Sequence, residues 1–133
     1  MTLSDIPHLL SVEDNSETRL LLKHLLDEDY DLTSVPGVDE ALDAVDSASF
    51  DLLLLDINLS SKREDGGTKL LHRIRTREDT GDIPAIAVTA YAMPGDREAL
   101  LDEGFDGYVS KPFTGRELTE TIDHILTARR EAS

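Results

Sequence analysis

The sequence predicts a single α/β domain with a doubly wound fold, in which helices cover both faces of an open five-stranded parallel sheet. Five short, nearly continuous apolar runs alternate with five longer segments whose apolar residues recur at helical spacing. Such continuous runs are typical of strands buried on both faces, as in parallel sheets. A length of 133 residues suits one domain, which we expect to span residues 1–133 with its core at 7–129.

The five strands are predicted from apolar runs of three to five residues. The run at 52–55 is rich in leucine and also fits a buried helical turn, but its brevity and its place in the alternation favour a strand. The predicted strands are residues 8–12, 31–35, 52–55, 85–88 and 107–109.

The five helices are predicted from apolar faces with a period near 3.6 residues. Asp14 or Asn15 can cap the first helix, and Gly104 follows Glu103 where a helix end favours a left-handed residue. The third helix also carries a small basic face, which we interpret as solvated; it comprises Lys69, Arg73, Arg75 and Arg77. The predicted apolar faces lie within residues 21–26, 38–45, 70–74, 99–100 and 118–126.

Composition excludes several classes of function. The net charge of −15 disfavours direct binding of nucleic acid, and the absence of cysteine excludes disulfides, Cys-ligated metals and thiol catalysis. This acid excess is typical of a solubilising surface or of adaptation to a salty cytoplasm. The sequence lacks an apolar run long enough to cross a membrane and a basic leader, so we expect a cytoplasmic protein without membrane contact.

Ionisable side chains follow the predicted strands at their carboxyl ends. Glu13 and Asp14 follow the first strand, Asp56 the third, and Lys111 the fifth. In an open parallel sheet these ends meet at the edge where ligands bind. Crowded carboxylates repel one another, and an oxygen-only cluster fits a hard divalent cation such as Mg²⁺. The sequence therefore predicts a metal site at this edge, with the ammonium of Lys111 as a further compensating charge.

Motifs along nearly the whole chain make it similar to the response-regulator receiver domains of two-component signalling. The matching segments are LLSVEDN at 9–15, LLLLDINL at 52–59, DG at 65–66, AIAVTAYA at 85–92 and EGFDGYVSKPF at 103–113. The resemblance implies a flavodoxin-like (βα)5 fold with strand order 2-1-3-4-5. It also implies a protein that catalyses only its own phosphorylation and dephosphorylation.

The resemblance assigns a role to each matching residue. Asp56 is expected to accept a phosphoryl group from phosphohistidine. Mg²⁺, or Mn²⁺ in its place, is expected at Asp56, Asp14, the main-chain carbonyl of Asn58 and, partly through water, Glu13. Lys111 is expected to pair with one phosphoryl oxygen.

The resemblance also implies a conformational switch. Thr89 is expected to donate its hydroxyl to the bound phosphoryl group, for which the small Ala90 leaves room. Movement of Thr89 vacates space into which Tyr108 turns, and this changes the surface formed by the fourth helix, fifth strand and fifth helix. A cis bond between Lys111 and Pro112 is expected to help aim the lysine.

The expected partners follow from the same resemblance. The phosphodonor is a sensor histidine kinase or a histidine phosphotransfer protein, and the downstream partner is a protein that the sequence does not identify. Homodimerisation through the switch surface is an alternative. The last predicted helix runs to about Arg129, so we expect no output domain in this chain.

Three alternatives belong to other functional classes. A pseudo-receiver would bind partners without phosphorylation. An aspartyl-phosphate phosphatase of the haloacid-dehalogenase type usually needs a second Asp where this chain has Asn58. A flavodoxin-like electron carrier needs a phosphate-binding loop after the first strand, where this chain has acidic residues. The segment 58–66 is longer than the common receiver loop and borders the expected metal site, where it can influence metal affinity and partner choice.

Overall fold

The structure is a computed structural model that describes residues 6–57, 66–77, 80–90 and 95–132. Five strands alternate with five helices along the chain, as the apolar runs predict. The strands are β1 (His8–Val12), β2 (Asp31–Val35), β3 (Leu52–Asp56), β4 (Ala85–Thr89) and β5 (Gly107–Ser110). The helices are α1 (Ser16–Leu26), α2 (Val38–Ser47), α3 (Gly66–Arg75), α4 (Asp96–Glu103) and α5 (Gly115–Ala132).

The strands form one parallel sheet in the order β2-β1-β3-β4-β5, which confirms the predicted fold and strand order. The order in which strands are added to the sheet reverses between β1 and β3, which are direct neighbours. Strand β2 lies beside β1 on one side of this pair, and β4 and β5 lie on the other side. In sheets of this kind, the crevice at the carboxyl ends beside such a reversal is where ligands bind.

Two apolar layers hold the helices against the sheet, because successive strand residues point to opposite faces. Leu10 and Leu53 belong to the layer that packs against α2 and α3. Leu9 and Leu52 belong to the layer that packs against α1 and α5. Both faces of the sheet are therefore covered, as the continuous apolar runs predict.

Local capping sets the helix ends beside the carboxyl edge of the sheet. Asn15 caps α1, with its side-chain oxygen accepting a hydrogen bond of 3.0 Å from the backbone N–H of Thr18. Thr114 and Glu117 form a reciprocal capping box at the start of α5. At the far end of α4, Gly104 adopts a φ of 113°, as expected for a left-handed helix end.

Strands β3 and β4 extend one residue beyond their apolar runs, to Asp56 and Thr89. The reason is backbone pairing: Asp56 is in register with Val88, and Thr89 with Ser110, so the ladder continues into polar residues. Two candidate site residues therefore have main chains held by the sheet itself.

The predicted solvated basic face on α3 is wrong for Arg75. Its guanidinium is half-buried and donates to the carbonyls of Gly81 and Gly104 at 3.0 Å each, and it pairs with Asp106. A planar group with several donors can satisfy main-chain carbonyls of two loops at once. Arg75 is therefore a structural link at the end of the sheet opposite the candidate site. Arg77 also has a partner, Asp46.

No helix within the described ranges is both long and apolar enough to span a membrane.

Candidate functional site

Three carboxylates meet at the carboxyl edge of the sheet. Glu13 and Asp14 follow β1, Asp56 ends β3, and these two strands are paired neighbours. One carboxylate oxygen from each of the three residues lies within 4.8 Å of the others. Glu13 and Asp56 are only 2% and 5% exposed, whereas Asp14 faces solvent. The cluster thus combines two buried acids with one that is open to an incoming ligand.

Lys111 brings a positive charge into this cluster from the end of β5. Its Nζ lies 2.9 Å from Glu13 Oε1 and 3.6 Å from Asp56 Oδ2. The backbone N–H of Lys111 donates to the carbonyl of Thr89 at 2.7 Å, and the bond to Pro112 is cis. The lysine therefore contacts both buried carboxylates.

Burial and charge act together on the ionisation of Glu13 and Lys111. Burial raises the pKa of Glu13, although hydrogen bonds from Lys111 and the Asn15 N–H oppose that rise. Burial by itself would lower the pKa of Lys111, but its hydrogen bond to Glu13 and the charges of Asp56 and Glu13 outweigh burial and raise that pKa. Lys111 is therefore held as an ammonium ion among the acids.

The donor set fits a hard divalent cation. It consists of carboxylate oxygens, and the chain has no cysteine that would favour a softer metal. Magnesium characteristically takes only one or two protein carboxylates and keeps several waters, which suits a site with an exposed side. The residues present therefore fit Mg²⁺.

The other residues singled out from the sequence lie around this cluster. Thr89 is buried at the end of β4, next to the exposed Ala90. Tyr108 is half-buried on β5, in register with Ala87, and packs against the core layer on the α2 and α3 side. Asn58 lies outside the described residues.

Gly67 was not predicted as a site residue, yet it sets how closely α3 approaches Asp56. Its backbone N–H donates to the carbonyl of Ile57 at 3.1 Å. A Cβ atom at this position would lie 2.2 Å from the carbonyl oxygen of Asp56 and 3.0 Å from Cα of Ile57. Only glycine permits this contact. The adjacent glycines at 66–67 were the available signal, but they resemble no phosphate-binding motif.

Arg19 is a second residue that the sequence did not single out. It lies on α1 and donates from Nη1 to the main-chain carbonyl of Glu13 at 2.8 Å. A lone arginine on an amphipathic helix is normally solvated, so the sequence pattern does not distinguish Arg19 from an ordinary surface residue.

Comparison with known proteins identifies the family to which this arrangement belongs. A family model for the response regulator receiver domain matches residues 9–123. The chain belongs to this family. It is therefore a receiver domain of two-component signalling, as the sequence motifs predict.

Individual relatives include both small regulators and parts of large kinases. The receiver domain is 34% identical over 119 residues to the polar-differentiation response regulator DivK of Brucella ovis, covering 89% of this chain and 94% of that protein. It is 30% identical over 120 residues to the sensor protein GacS of Pseudomonas syringae pv. syringae, covering 90% of this chain. It spans only 13% of the length of GacS.

A solved relative has the same fold. The receiver domain of sensor histidine kinase PA1611 from Pseudomonas aeruginosa PAO1 superimposes with a TM-score of 0.80 and 29% identity. The match covers 92% of this chain and 98% of that one. That crystal structure has a magnesium ion coordinated in its active-site cleft.

Proposed function

We propose that this receiver domain accepts a phosphoryl group on Asp56, with Mg²⁺ bound beside it. The supporting observation is the convergence of Glu13, Asp14 and Asp56 within 4.8 Å of one another, with Lys111 Nζ 3.6 Å from Asp56 Oδ2. Such an arrangement would supply an acceptor oxygen, metal ligands and an ammonium ion for phosphoryl transfer at one point.

The proposed reaction needs no separate base. A carboxylate oxygen of Asp56 attacks phosphorus directly and forms the acyl phosphate bond. The phosphorus–nitrogen bond to the donor histidine breaks, and its electron pair stays on that nitrogen. The donor ring carries a proton on its other nitrogen, so it leaves as neutral imidazole. Lys111 lies close enough to Asp56 to pair with the added phosphoryl oxygens.

Glu13, Asp14 and Asp56 would hold the metal, together with the main-chain carbonyl of Asn58. When bound, Mg²⁺ or Mn²⁺ neutralises charge on the transferring phosphoryl group. Asp14 is the exposed member of the cluster, whereas Glu13 already bonds to Lys111 and to the Asn15 N–H. We therefore assign direct coordination to Asp14 and a partly indirect role to Glu13.

The proposed switch runs from Thr89 to Tyr108. Thr89 ends β4 in register with Ser110, and its carbonyl accepts the Lys111 N–H, so it is linked to the start of the segment after β5. A dianionic group on Asp56 would draw in the Thr89 hydroxyl past the small Ala90. The half-buried Tyr108 would then turn inward, which is a packing change driven by a local charge.

The proposed partners are a histidine donor and a protein that reads the switched surface. The donor is a sensor histidine kinase or a histidine phosphotransfer protein, as the match to GacS supports. The output surface is formed by α4, β5 and α5, where Leu101 is 41% exposed. The reader of that surface is a downstream protein or a second copy of this chain.

Intact-mass spectrometry tests the phosphoacceptor. The protein is incubated with acetyl phosphate and MgCl₂, and we expect one adduct of about 80 Da, as for a single phosphoryl group. Asp56→Ala should abolish the adduct, whereas Asp43→Ala, which changes an exposed acid on α2, should retain it. An adduct that persists in Asp56→Ala would disprove the assignment. Absence of any adduct from a wild-type protein that binds Mg²⁺ would instead favour a pseudo-receiver.

A further inference from the structure

The segment that carries both Glu13 and Asp14 is short and is held by its main chain. Only residues 13–15 separate the end of β1 from the start of α1. The Glu13 N–H donates to the carbonyl of Val35 at 3.0 Å, and the Asn15 N–H donates to Glu13 Oε2 at 3.1 Å. Both bonds fix Glu13, but neither involves its carbonyl, which belongs to the peptide group that leads into Asp14.

Arg19 supplies a partner for that carbonyl. Its Nη1 donates to the Glu13 carbonyl at 2.8 Å, across six positions of sequence and back over the first turn of α1. The Glu13 carbonyl and the Asp14 N–H belong to the same rigid peptide plane. A bond to the carbonyl therefore limits rotation of the plane from which the Asp14 side chain departs.

We propose that Arg19 is a positioning residue for divalent-cation binding, and that it acts by fixing the Glu13–Asp14 peptide rather than by its charge. This inference rests on the proposed magnesium site. Residues that orient metal ligands by hydrogen bonds commonly change metal affinity 10- to 100-fold when they are removed. Arg19 is half-buried and is not extended into solvent.

The sign of the effect separates positioning from charge. A positive charge near the site repels a dication, so removing it should strengthen Mg²⁺ binding if charge alone mattered. Loss of a positioning bond should weaken Mg²⁺ binding instead, because Asp14 is then less well oriented. The two explanations therefore predict opposite changes in the dissociation constant.

The test compares Arg19→Met with Lys23→Met by isothermal titration with MgCl₂ at fixed ionic strength. Methionine retains an apolar stem and removes the donors, and Lys23 is an exposed cation one turn further along the same helix. We expect Arg19→Met to bind Mg²⁺ about 10-fold more weakly. Lys23→Met should bind it as tightly as the wild type or slightly more so. Arg19→Lys, which keeps a donor, should recover part of the loss.

Stability measured without Mg²⁺ separates positioning from a general loss of structure. We expect Arg19→Met to remain folded in metal-free buffer, with a urea midpoint lowered only modestly by the loss of one hydrogen bond. Should Arg19→Met be unfolded, Arg19→Lys carries the test, with a smaller weakening expected. Unchanged or tighter Mg²⁺ binding by the folded Arg19 variant, or equal losses in the Lys23 control, would overturn the inference. If the wild type itself bound no Mg²⁺, the proposed function would fail first.

Discussion

The ammonium of Lys111 lies 2.9 Å from Glu13 Oε1 and 3.6 Å from Asp56 Oδ2, so the closer of its two carboxylate partners is Glu13. Glu13 is only 2% exposed, and a buried carboxylate without a hydrogen-bonded partner is strongly destabilising. Lys111 therefore stabilises the folded state as well as standing beside the proposed phosphoacceptor. The two roles can be measured separately, because stability does not require a phosphodonor.

Replacing Lys111 by methionine should lower the free energy of unfolding by about 1–3 kcal/mol, since Glu13 stays buried and loses a charged hydrogen bond. The raised pKa of Lys111 gives this effect a pH dependence. The stabilisation is fully present below about pH 10, the usual lysine range, and is lost as pH rises through the raised pKa. Urea unfolding from pH 7 to 11 measures the difference, with Lys23→Met as the exposed control. A constant difference across that range would contradict the linkage.

Magnesium should stabilise the folded protein, because a ligand that binds only the native state raises the free energy of unfolding as its concentration exceeds the dissociation constant. At about 100 times the dissociation constant the gain is about 2.7 kcal/mol. Asp14→Asn should lose most of this gain, whereas the exposed Asp43→Asn on α2 should keep it. Urea unfolding at increasing MgCl₂ concentration provides the measurement. Equal stabilisation of both variants would indicate that Mg²⁺ acts away from the cluster.

Gly67→Ala should be strongly destabilising. Its Cβ would lie 2.2 Å from the backbone oxygen of Asp56, so α3 or the end of β3 must shift. We expect a loss of about 2–4 kcal/mol, which is typical of overpacking against main chain. Gly37→Ala is the matched control, because its Cβ would meet only the end of the Glu40 side chain, at 2.9 Å. Thermal unfolding of both variants decides the matter, and equal melting temperatures would refute this explanation of Gly67.

Tyr30 should contribute to stability in a manner that disappears at high pH. Its buried hydroxyl donates to Asp123 Oδ1. The pKa of Tyr30 is raised, mainly by burial and secondly by this hydrogen bond. The unfolded chain releases the tyrosine proton near pH 10, while the folded chain retains it to higher pH. The contribution is therefore full below pH 10 and is lost as pH rises through the raised pKa.

Tyr30→Phe tests this linkage. The variant should be about 1–2 kcal/mol less stable than the wild type at pH 8, since Asp123 loses a hydrogen bond. The gap should narrow above pH 10 in guanidinium unfolding experiments. Tyr108→Phe serves as a control for general effects of removing a phenol. A gap that widened with pH would be the opposite of the expected sign.

Much of the fold could be predicted from local pattern. Strands β1 and β2 match their apolar runs in full, and Asn15 and Gly104 mark the predicted helix ends. The other strands extend slightly further because backbone pairing does not depend on side-chain polarity. Periodicity reports which face of a segment is apolar, and that is sufficient to predict a doubly wound sheet.

Less of the candidate site could be predicted, since it depends on contacts distant in sequence. Glu13 and Asp14 are adjacent acids, yet one is buried against Lys111, 98 positions away, and the other is exposed. Arg75 has the same helical context as Arg73, the other arginine of α3, but loops beyond the helix give it partners.

The sequence by itself determined the order of the elements, the edge of the sheet where acids gather and the family to which the chain belongs. Only the tertiary structure decided that Lys111 bonds to Glu13, that Arg19 holds the Glu13 carbonyl and that Gly67 seats α3 against Asp56. The reason is physical. Hydrophobic burial is encoded locally by periodicity, whereas a hydrogen bond or a close backbone contact depends on ångström-scale placement by the whole fold.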